Sequence, residues 1–257
     1  MSVQVDLNCD LGESFGAWAM GRDDEVMTHI SSANVACGFH ASDPGTMRLT
    51  VRLASERGVA IGAHPGLPDL VGFGRRAIAV APEEAYEFTL YQIGALDAFV
   101  RAAGARLQHV KPHGALYTMA ARDGALADAL VAATRDARAD LIFVGQPDSE
   151  LERAARHARV RFAAEVFADR TYQADGSLTP RGRADALVTE PEAAVAQVLA
   201  MVTEGRVRAC GGEWIAVRAD TVCVHGDNPE AVAFTSRVRR GLEQAGVAIA
   251  PLAAWLP

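Results

Sequence analysis

The sequence predicts an α/β protein built as an irregular TIM-like (β/α) barrel of seven parallel strands, with an eighth candidate strand near its end. Three observations predict this. Short apolar segments of strand character alternate with longer helical ones along all 257 residues, the pattern of a parallel sheet wrapped in helices. No Ser/Gly linker, charge block or repeat divides the chain, so residues 1–257 read as a single barrel domain. Within the strands, apolar residues keep to one parity and polar residues to the other, as a barrel requires when one face meets helices and the other a lumen.

The first strand, 3–10, sets the pattern. Val3, Val5, Leu7 and Cys9 share one face, while Asp6, Asn8 and Asp10 share the other. Those polar groups face either bulk water from an edge strand or the inside of a barrel. The second strand, 33–39, is followed by Asp43 as N-cap, Pro44 at the first helical position and Gly58 as a left-handed stop. After the strand at 59–64, Pro82, Glu83 and Glu84 open a helix that runs through Tyr91 and Leu96 towards Gly104. Strands at 107–112, 141–145 and 162–168 follow. Thr189 with Glu192 has capping-box spacing, and the seventh strand is 221–226. The segment Trp214 to Val224 also reads as a hairpin turning at Ala219 and Asp220. Asn228 with Pro229 starts the last long helix, which ends near Gly246, and 247–251 is the eighth candidate strand.

Composition narrows the function. No apolar run reaches the roughly 18–20 residues of a membrane span, and the start lacks a secretory pattern, so a soluble cytoplasmic protein is expected. A formal net charge of -7 without a basic cluster argues against nucleic acid, whose affinity comes largely from neutralised phosphates. A small-molecule substrate or a protein partner is expected instead. Cys9, Cys37, Cys210 and Cys223 show no CxxC spacing, so neither a disulfide nor a structural zinc is expected.

The parity of the first strand recurs in the others. Asn34, Ala36, Gly38 and His40 share a face, as do Ala60, Gly62 and His64, then His109, Lys111 and His113, then Thr221, Cys223, His225 and Asp227. Glu165 and Asp169 share another. Polar groups therefore gather towards the C-terminal strand ends, the rim on which barrel active sites are built. Ala36, Gly38, Ala60 and Gly62 lie lower and leave room in the lumen. This convergence moves Asp6, Asn8 and Asp10 indoors, with Asp10 nearest the rim and Asp6 a structural hydrogen-bond partner. A lone histidine such as His29 or His157 is ordinarily structural, whereas His40, His64, His113 and His225 around one lumen would be costly without a purpose. Glu13, Ser14, Ser31 and Ser32 also fit as turn residues.

Lys111 is distinctive because 24 of the 25 basic residues are arginine. A lone lysine suggests a site where a compact point charge fits and a planar fork does not. The only asparagines, Asn8, Asn34 and Asn228, all adjoin these motifs. The loop GFGRR carries Arg75 and Arg76, which suit a carboxylate or phosphate if they point inward. No GxxxxGKS/T loop exists, so any nucleotide is held without a P-loop.

The segments DLNCDLGESFG, SANVACGFHASDP, GAHPGLPDLVGFGRR, HVKPHGALY, EVFADRTY with a downstream GSLTPRG, and VHGDNP resemble, in order and spacing, the LamB/YcsF family. The resemblance runs from Val5 to the last helix. Ser42 departs from an expected glycine, Leu67 from an aromatic residue and Thr118 from asparagine; none of these touches the charged rim. The resemblance implies a glycoside hydrolase/deacetylase-like barrel and an ATP-dependent hydrolase that opens the lactam of 5-oxo-L-proline to L-glutamate. It also implies work as the A component beside 5-oxoprolinase subunits B and C.

That chemistry would use ATP to phosphorylate the amide oxygen of a poor electrophile before water attacks. It needs a cation near phosphate, a base for water and a clamp for the substrate carboxylate. On this basis Lys111 is assigned to phosphate or the developing oxyanion, and Asp10, His64 and His113 to water activation or to a divalent metal ion. Arg75 or Arg76 holds the carboxylate, Asn8, Glu165 and Asp227 orient neighbours, and Glu13, His40 and His225 complete the substrate site. Two rivals stand beside this reading: a metal-dependent deacetylase or carbohydrate hydrolase needing no ATP, and a non-catalytic component that presents substrate to its partners.

Overall fold

The computed structural model describes residues 3–225 and 231–256. Its strands are β1 (Gln4–Leu11), β2 (Ser32–Ala36), β3 (Ala60–His64), β4 (Leu107–Val110), β5 (Ile142–Gly145), β6 (Arg161–Phe167), β7 (Arg206–Arg208), β8 (Trp214–Ala216), β9 (Thr221–His225) and β10 (Ala248–Ile249). Between them lie α1 (Asp23–Val26), α2 (Pro44–Glu56), α3 (Pro82–Ala102), α4 (Gly114–Ala120), α5 (Gly124–Ala137), α6 (Glu150–Ala158), α7 (Pro191–Glu204) and α8 (Ala231–Gln244).

The main sheet runs β1-β2-β3-β4-β5-β6-β9, and β9 pairs again with β1. All these pairings are parallel, so seven strands close a TIM-like barrel. The eighth candidate strand exists but only as an appendage: β10 pairs Ala248 and Ile249 with Gln4 and Val5, at the start of β1. Closure removes the edge on which β1 would have shown its acids to water.

The apolar parity packs outward. Val5, Leu7 and Cys9 are fully buried in one continuous core that also takes the inner faces of the helices, including Val51 of α2, Leu96 of α3 and Leu130 of α5. Registers place the polar parity at matching heights: Asp10 opposes Asn34 on β2 and His225 on β9, Asn34 opposes Gly62, and Gly62 opposes His109.

Local signals set the helix ends. Asp43 caps α2 by accepting from the backbone N–H groups of Gly45 at 2.8 Å and Thr46 at 3.0 Å. Gly58, Gly104 and Gly246 take the left-handed conformations expected after their helices. Ser42, standing where glycine was expected, has φ 75°, which is the physical reason that glycine suits the position.

Two local expectations change. The N-cap of α7 is Glu190, not Thr189, because Pro191 occupies the first helical position and sets the start one residue later. The hairpin lies earlier than the alternative reading placed it: β7 pairs antiparallel with β8, Arg206 opposite Ala216 and Arg208 opposite Trp214. The chain then enters the barrel as β9, so Ala219 and Asp220 link β8 to β9 rather than turn a hairpin. The cap assigned to Asn228 and Pro229 lies outside the described residues, as does Asp227.

Candidate active site

The lumen is built in layers, and β1 crosses each of them. At the base, the Asp6 carboxylate accepts from Ser31 at 2.7 Å, Ser32 at 2.6 Å and Thr221 at 2.5 Å. Burial pushes its carboxyl up to about 6, against the hydrogen bonds from these hydroxyls. Ser31 and Ser32 are therefore supports of β1. One layer up, the Asn8 amide donates to Thr221 at 2.7 Å and to Glu165 at 3.2 Å. The Asn34 amide donates to Asn8 at 2.7 Å and to Asp10 at 2.8 Å, and its carbonyl meets His109 Nε2 at 2.7 Å.

The room expected beside Gly62 is taken by that histidine. A Cβ on Gly62 would collide with His109 Nε2, so the glycine allows an imidazole to occupy the lumen. Burial, with Lys111 nearby, presses His109 down to about 3, and a neutral ring orients Asn34 beneath Asp10.

Lys111 occupies the next layer, 2 % exposed. Its ammonium lies 2.8 Å from Asp10 Oδ1, 2.8 Å from Glu165 Oε1 and 3.1 Å from Cys223 Sγ. Burial opposes its charge, but Asp10 foremost, with Glu165, outweighs burial and holds its pKa well above the ordinary value. The reverse balance holds Asp10: burial would raise it, and His64 and Lys111 bring its carboxyl well below the usual range. Cys223 is kept a thiol by burial despite the adjacent ammonium.

Above Asp10 the histidines meet. His64 Nδ1 lies 2.7 Å from the Lys111 carbonyl oxygen and His113 Nε2 lies 2.8 Å from the Phe73 carbonyl oxygen. A carbonyl only accepts, so these nitrogens carry the protons. The opposite nitrogens, His64 Nε2 and His113 Nδ1, face each other at 2.9 Å, with Asp10 Oδ2 3.2 Å from the former and Glu13 Oε1 3.7 Å from the latter. Burial, followed by His40 and His64, pushes His113 well below the ordinary histidine range. His40 stacks on His113 with ring centroids 3.7 Å apart. It is fully buried, and neither of its ring nitrogens has a hydrogen-bond partner among the described residues. Gly66 and Gly74 allow these rings to approach, since a Cβ on either would lie under 3.0 Å from a histidine atom.

Glu13, His40, His64 and His113 thus present ligand atoms within 4.8 Å of one another. Two imidazoles oriented by backbone carbonyls, with carboxylates alongside, form a donor set suited to a divalent cation. The residues fit such an ion.

On another wall, His225 Nδ1 lies 2.7 Å from Asp169 Oδ2, and Arg181 lies 3.1 Å from its Nε2. Burial would lower the His225 pKa, but Asp169 raises it above the ordinary value. A cavity of about 410 Å³ is lined by Asp10, Glu13, His64, Lys111, His113, Arg181 and His225 among others. Arg75 lines it too, with its guanidinium 4.9 Å from the centre of the Phe73 ring. Arg76 does not; its guanidinium pairs with the buried Asp69 and is 62 % exposed. Asn8, Glu165 and His40 lie just behind the lining.

Several groups here were absent from the set of candidate site residues. Asp169 shares the parity of Glu165, a signal already in the sequence. Arg170, Arg181 and Phe167 line the cavity from β6 and the segment after it. Tyr117 lines it from α4, its buried hydroxyl held protonated by burial with the Glu165 carboxylate beside it. Arg181 lies in the GSLTPRG segment, where motif order marked the residues but no periodicity showed which pointed inward.

The chain matches the LamB/YcsF family model over residues 5–256. It is 59% identical over 247 residues to a protein of Tolumonas auensis named as the 5-oxoprolinase A subunit, covering 96% of this chain and 98% of the relative. A protein of the same name from Bacillus subtilis is 54% identical over 246 residues, covering 96% of both. Among solved structures, the lactam utilization protein from Thermus thermophilus is similar with a TM-score of 0.91 and 50% identity, covering 96% of this chain and 99% of that one.

Proposed function

The chain belongs to the LamB/YcsF family, and from that premise we propose that it hydrolyses the lactam of 5-oxo-L-proline to L-glutamate, driven by ATP, as the A component of a complex with subunits B and C. The observation that carries the reading is the joining of Lys111, between Asp10 and Glu165, with the facing ring nitrogens of His64 and His113 in one cavity. The names of the relatives in Tolumonas auensis and Bacillus subtilis support the substrate and the complex.

The residues divide the work by position. Lys111 is a fixed positive charge in a water-poor layer, where it stabilises negative charge developing on the lactam oxygen. Asn8 and Glu165 hold it there. His113 and His64 lie where an attacking water would lose its proton, and Asp10 stabilises the imidazolium that forms. Were His64 and His113, with Glu13 or Asp10, to hold a divalent cation instead, those nitrogens would be its ligands and the ion would supply the lowered pKa of that water in place of the histidine base. His225, oriented by Asp169, faces the cavity from the wall bearing Arg181 and contributes to substrate binding. Arg75 provides a guanidinium for the substrate carboxylate, a role the exposed Arg76 is not placed to share.

The test is to assay the chain alone and then with candidate B and C chains, following glutamate formed from 5-oxoproline and ATP. Glutamate formed only by the assembly with ATP supports the proposal. Turnover of an acetylated sugar with metal alone, and none of 5-oxoproline, would replace it with the deacetylase reading.

A further inference from the structure

Gln92 lies on the inner side of α3 and is 0 % exposed. Its side-chain amide is engaged at both ends. Oε1 accepts from the Gly66 backbone N–H at 2.9 Å, while Nε2 donates to the Gly66 carbonyl at 2.9 Å and to the Phe88 carbonyl, one helical turn back, at 2.9 Å. Gly66 is buried just beyond the end of β3, and a buried backbone N–H and C=O outside a sheet ladder need partners. One side chain supplies both.

The residues before Gly66 belong to the histidine cluster. His64 closes β3, and the Pro65 carbonyl accepts from the His113 backbone N–H at 2.8 Å, as the Ala63 carbonyl does from Lys111 at 2.9 Å. Gly66 itself is the wall on which His40 packs, for a Cβ there would lie 2.5 Å from His40 Nδ1. His40 in turn stacks on His113 with ring planes 1° apart and meets His64 edge-on, with centroids 5.5 Å apart. His64, Pro65 and Gly66 therefore carry one ring, hold the backbone of a second and bound a third. Gln92 grips the last of these residues from the helix layer. It is not among the residues that line the cavity, so it acts only through the backbone it holds.

We propose that Gln92 is a positioning residue for the histidine cluster: by holding both backbone groups of Gly66 it fixes the end of β3, and with it the mutual placement of His40, His64 and His113. An apolar side chain of similar length would leave a buried N–H and C=O unpaired, a cost the chain relieves by moving Gly66. Pro65 moves with it and takes away the acceptor of the His113 N–H, and the wall behind His40 opens. The Lys111 ammonium keeps Asp10 and Glu165, so the effect falls on the rings. Small displacements of reacting groups cost rate heavily. The inference rests on the lactam-opening reading only for what the rings do; their placement is measured without turnover.

The experiment compares Gln92→Met, close to glutamine in length, with Leu96→Ala, which weakens the core packing of the same helix and leaves the Gly66 contacts in place. In the full, metal-free chain, NMR of isotope-labelled histidine follows the ring N–H signals of His64 Nδ1 and His113 Nε2, which the Lys111 and Phe73 carbonyls hold. They are assigned by their loss in His64→Gln and His113→Gln. Both signals are expected in the parent and in Leu96→Ala, and are expected to shift or broaden in Gln92→Met. In the assembled complex, kcat for glutamate formation is expected to fall about tenfold or more in Gln92→Met, with KM within about twofold of the parent. Leu96→Ala is expected to melt lower yet keep the parental kcat. Gln92→Glu, which keeps an acceptor for the Gly66 N–H, is measured in parallel and carries the same readouts if Gln92→Met does not fold. Unaltered ring signals in a folded Gln92 variant, equal changes in Leu96→Ala, or a loss expressed in KM alone would overturn the proposal. Altered ring signals in the variant, with no glutamate formed by the parent complex, would leave the positioning role standing and remove the lactam-opening reading.

Discussion

His64 and His113 each give one ring nitrogen to a backbone carbonyl, of Lys111 and Phe73 respectively, and turn the other towards its partner at 2.9 Å. Two imidazoles held this way bring their second nitrogens together, an arrangement that a shared proton or a cation stabilises. With Asp10 and Glu13 alongside, it is the feature on which the chemical account depends.

Adding Zn²⁺ or Mn²⁺ to metal-free protein is expected to raise its melting temperature by about 5 °C or more at saturating ion, from the stabilisation that ligand linkage gives a chain of this size. The rise should shrink as pH falls and protons compete for the imidazoles. It should be absent in the double variant His64→Gln/His113→Gln. An unchanged melting temperature in the parent chain, or an equal rise in the variant, would show that the pair is bridged by a proton alone.

Lys111→Met is expected to destabilise the fold by about 3–5 kcal/mol, because it leaves Asp10 and Glu165 buried without their shared cation. Denaturant unfolding at neutral pH measures this. Lys111→Arg should not restore activity in the assembled complex, since a planar fork does not fit the compact space among Asp10, Glu165 and Cys223. Normal lactam-dependent ATP hydrolysis in Lys111→Met would remove the lysine from the account.

Asp6 and Asp10 make opposite pH contributions. Asp10 has its folded pKa lowered, so its stabilisation is present above the unfolded value and is lost as pH falls below about 4. Asp6 has its pKa raised from 3.8 to about 6, so the fold binds its proton more tightly and stability falls as pH rises from about 4 to 6. The Asp6 effect is on the order of 3 kcal/mol. Asp6→Asn should therefore gain stability relative to the parent across that window, measured by denaturant unfolding at pH values spanning it. A difference independent of pH would refute this sign.

Gly62→Ala is expected to cost about 1–3 kcal/mol through overpacking against His109. It should also reduce activity, because displacing His109 frees Asn34 from beneath Asp10. Thermal melting together with turnover in the complex tests both effects; a variant of parental stability and rate would contradict the packing described.

The barrel and its inner face were legible because a strand repeats every two residues, so Asp6, Asn8 and Asp10 could be matched in parity with Asn34, His64, Lys111 and His225. Loops carry no such period. The pairing of Arg76 with Asp69, the contacts of Arg170 with the carbonyls of Thr179 and Ala186, and the approach of Arg181 to His225 depend on how turns fold back in space. The filling of the lumen is illegible in the sequence for a related reason. Gly62 reads as empty space in one strand, and only the register with β4 shows His109 occupying it. The strand at 221–226 stands as β9, but the hairpin before it is illegible because Trp214 to Ala216 and Thr221 to His225 are similarly apolar, and sequence alone does not show that the former pairs backwards with Arg206 to Arg208.

We propose that Asp10, His64, Lys111 and His113 together open the lactam. The most direct measurement is glutamate formation from 5-oxoproline and ATP by the assembled complex carrying His113→Asn in this chain, with folding confirmed by melting. A rate roughly a hundredfold or more below the parent is expected from loss of a proton-transferring group. A folded variant that forms glutamate at the parental rate would place the chemistry elsewhere in the complex.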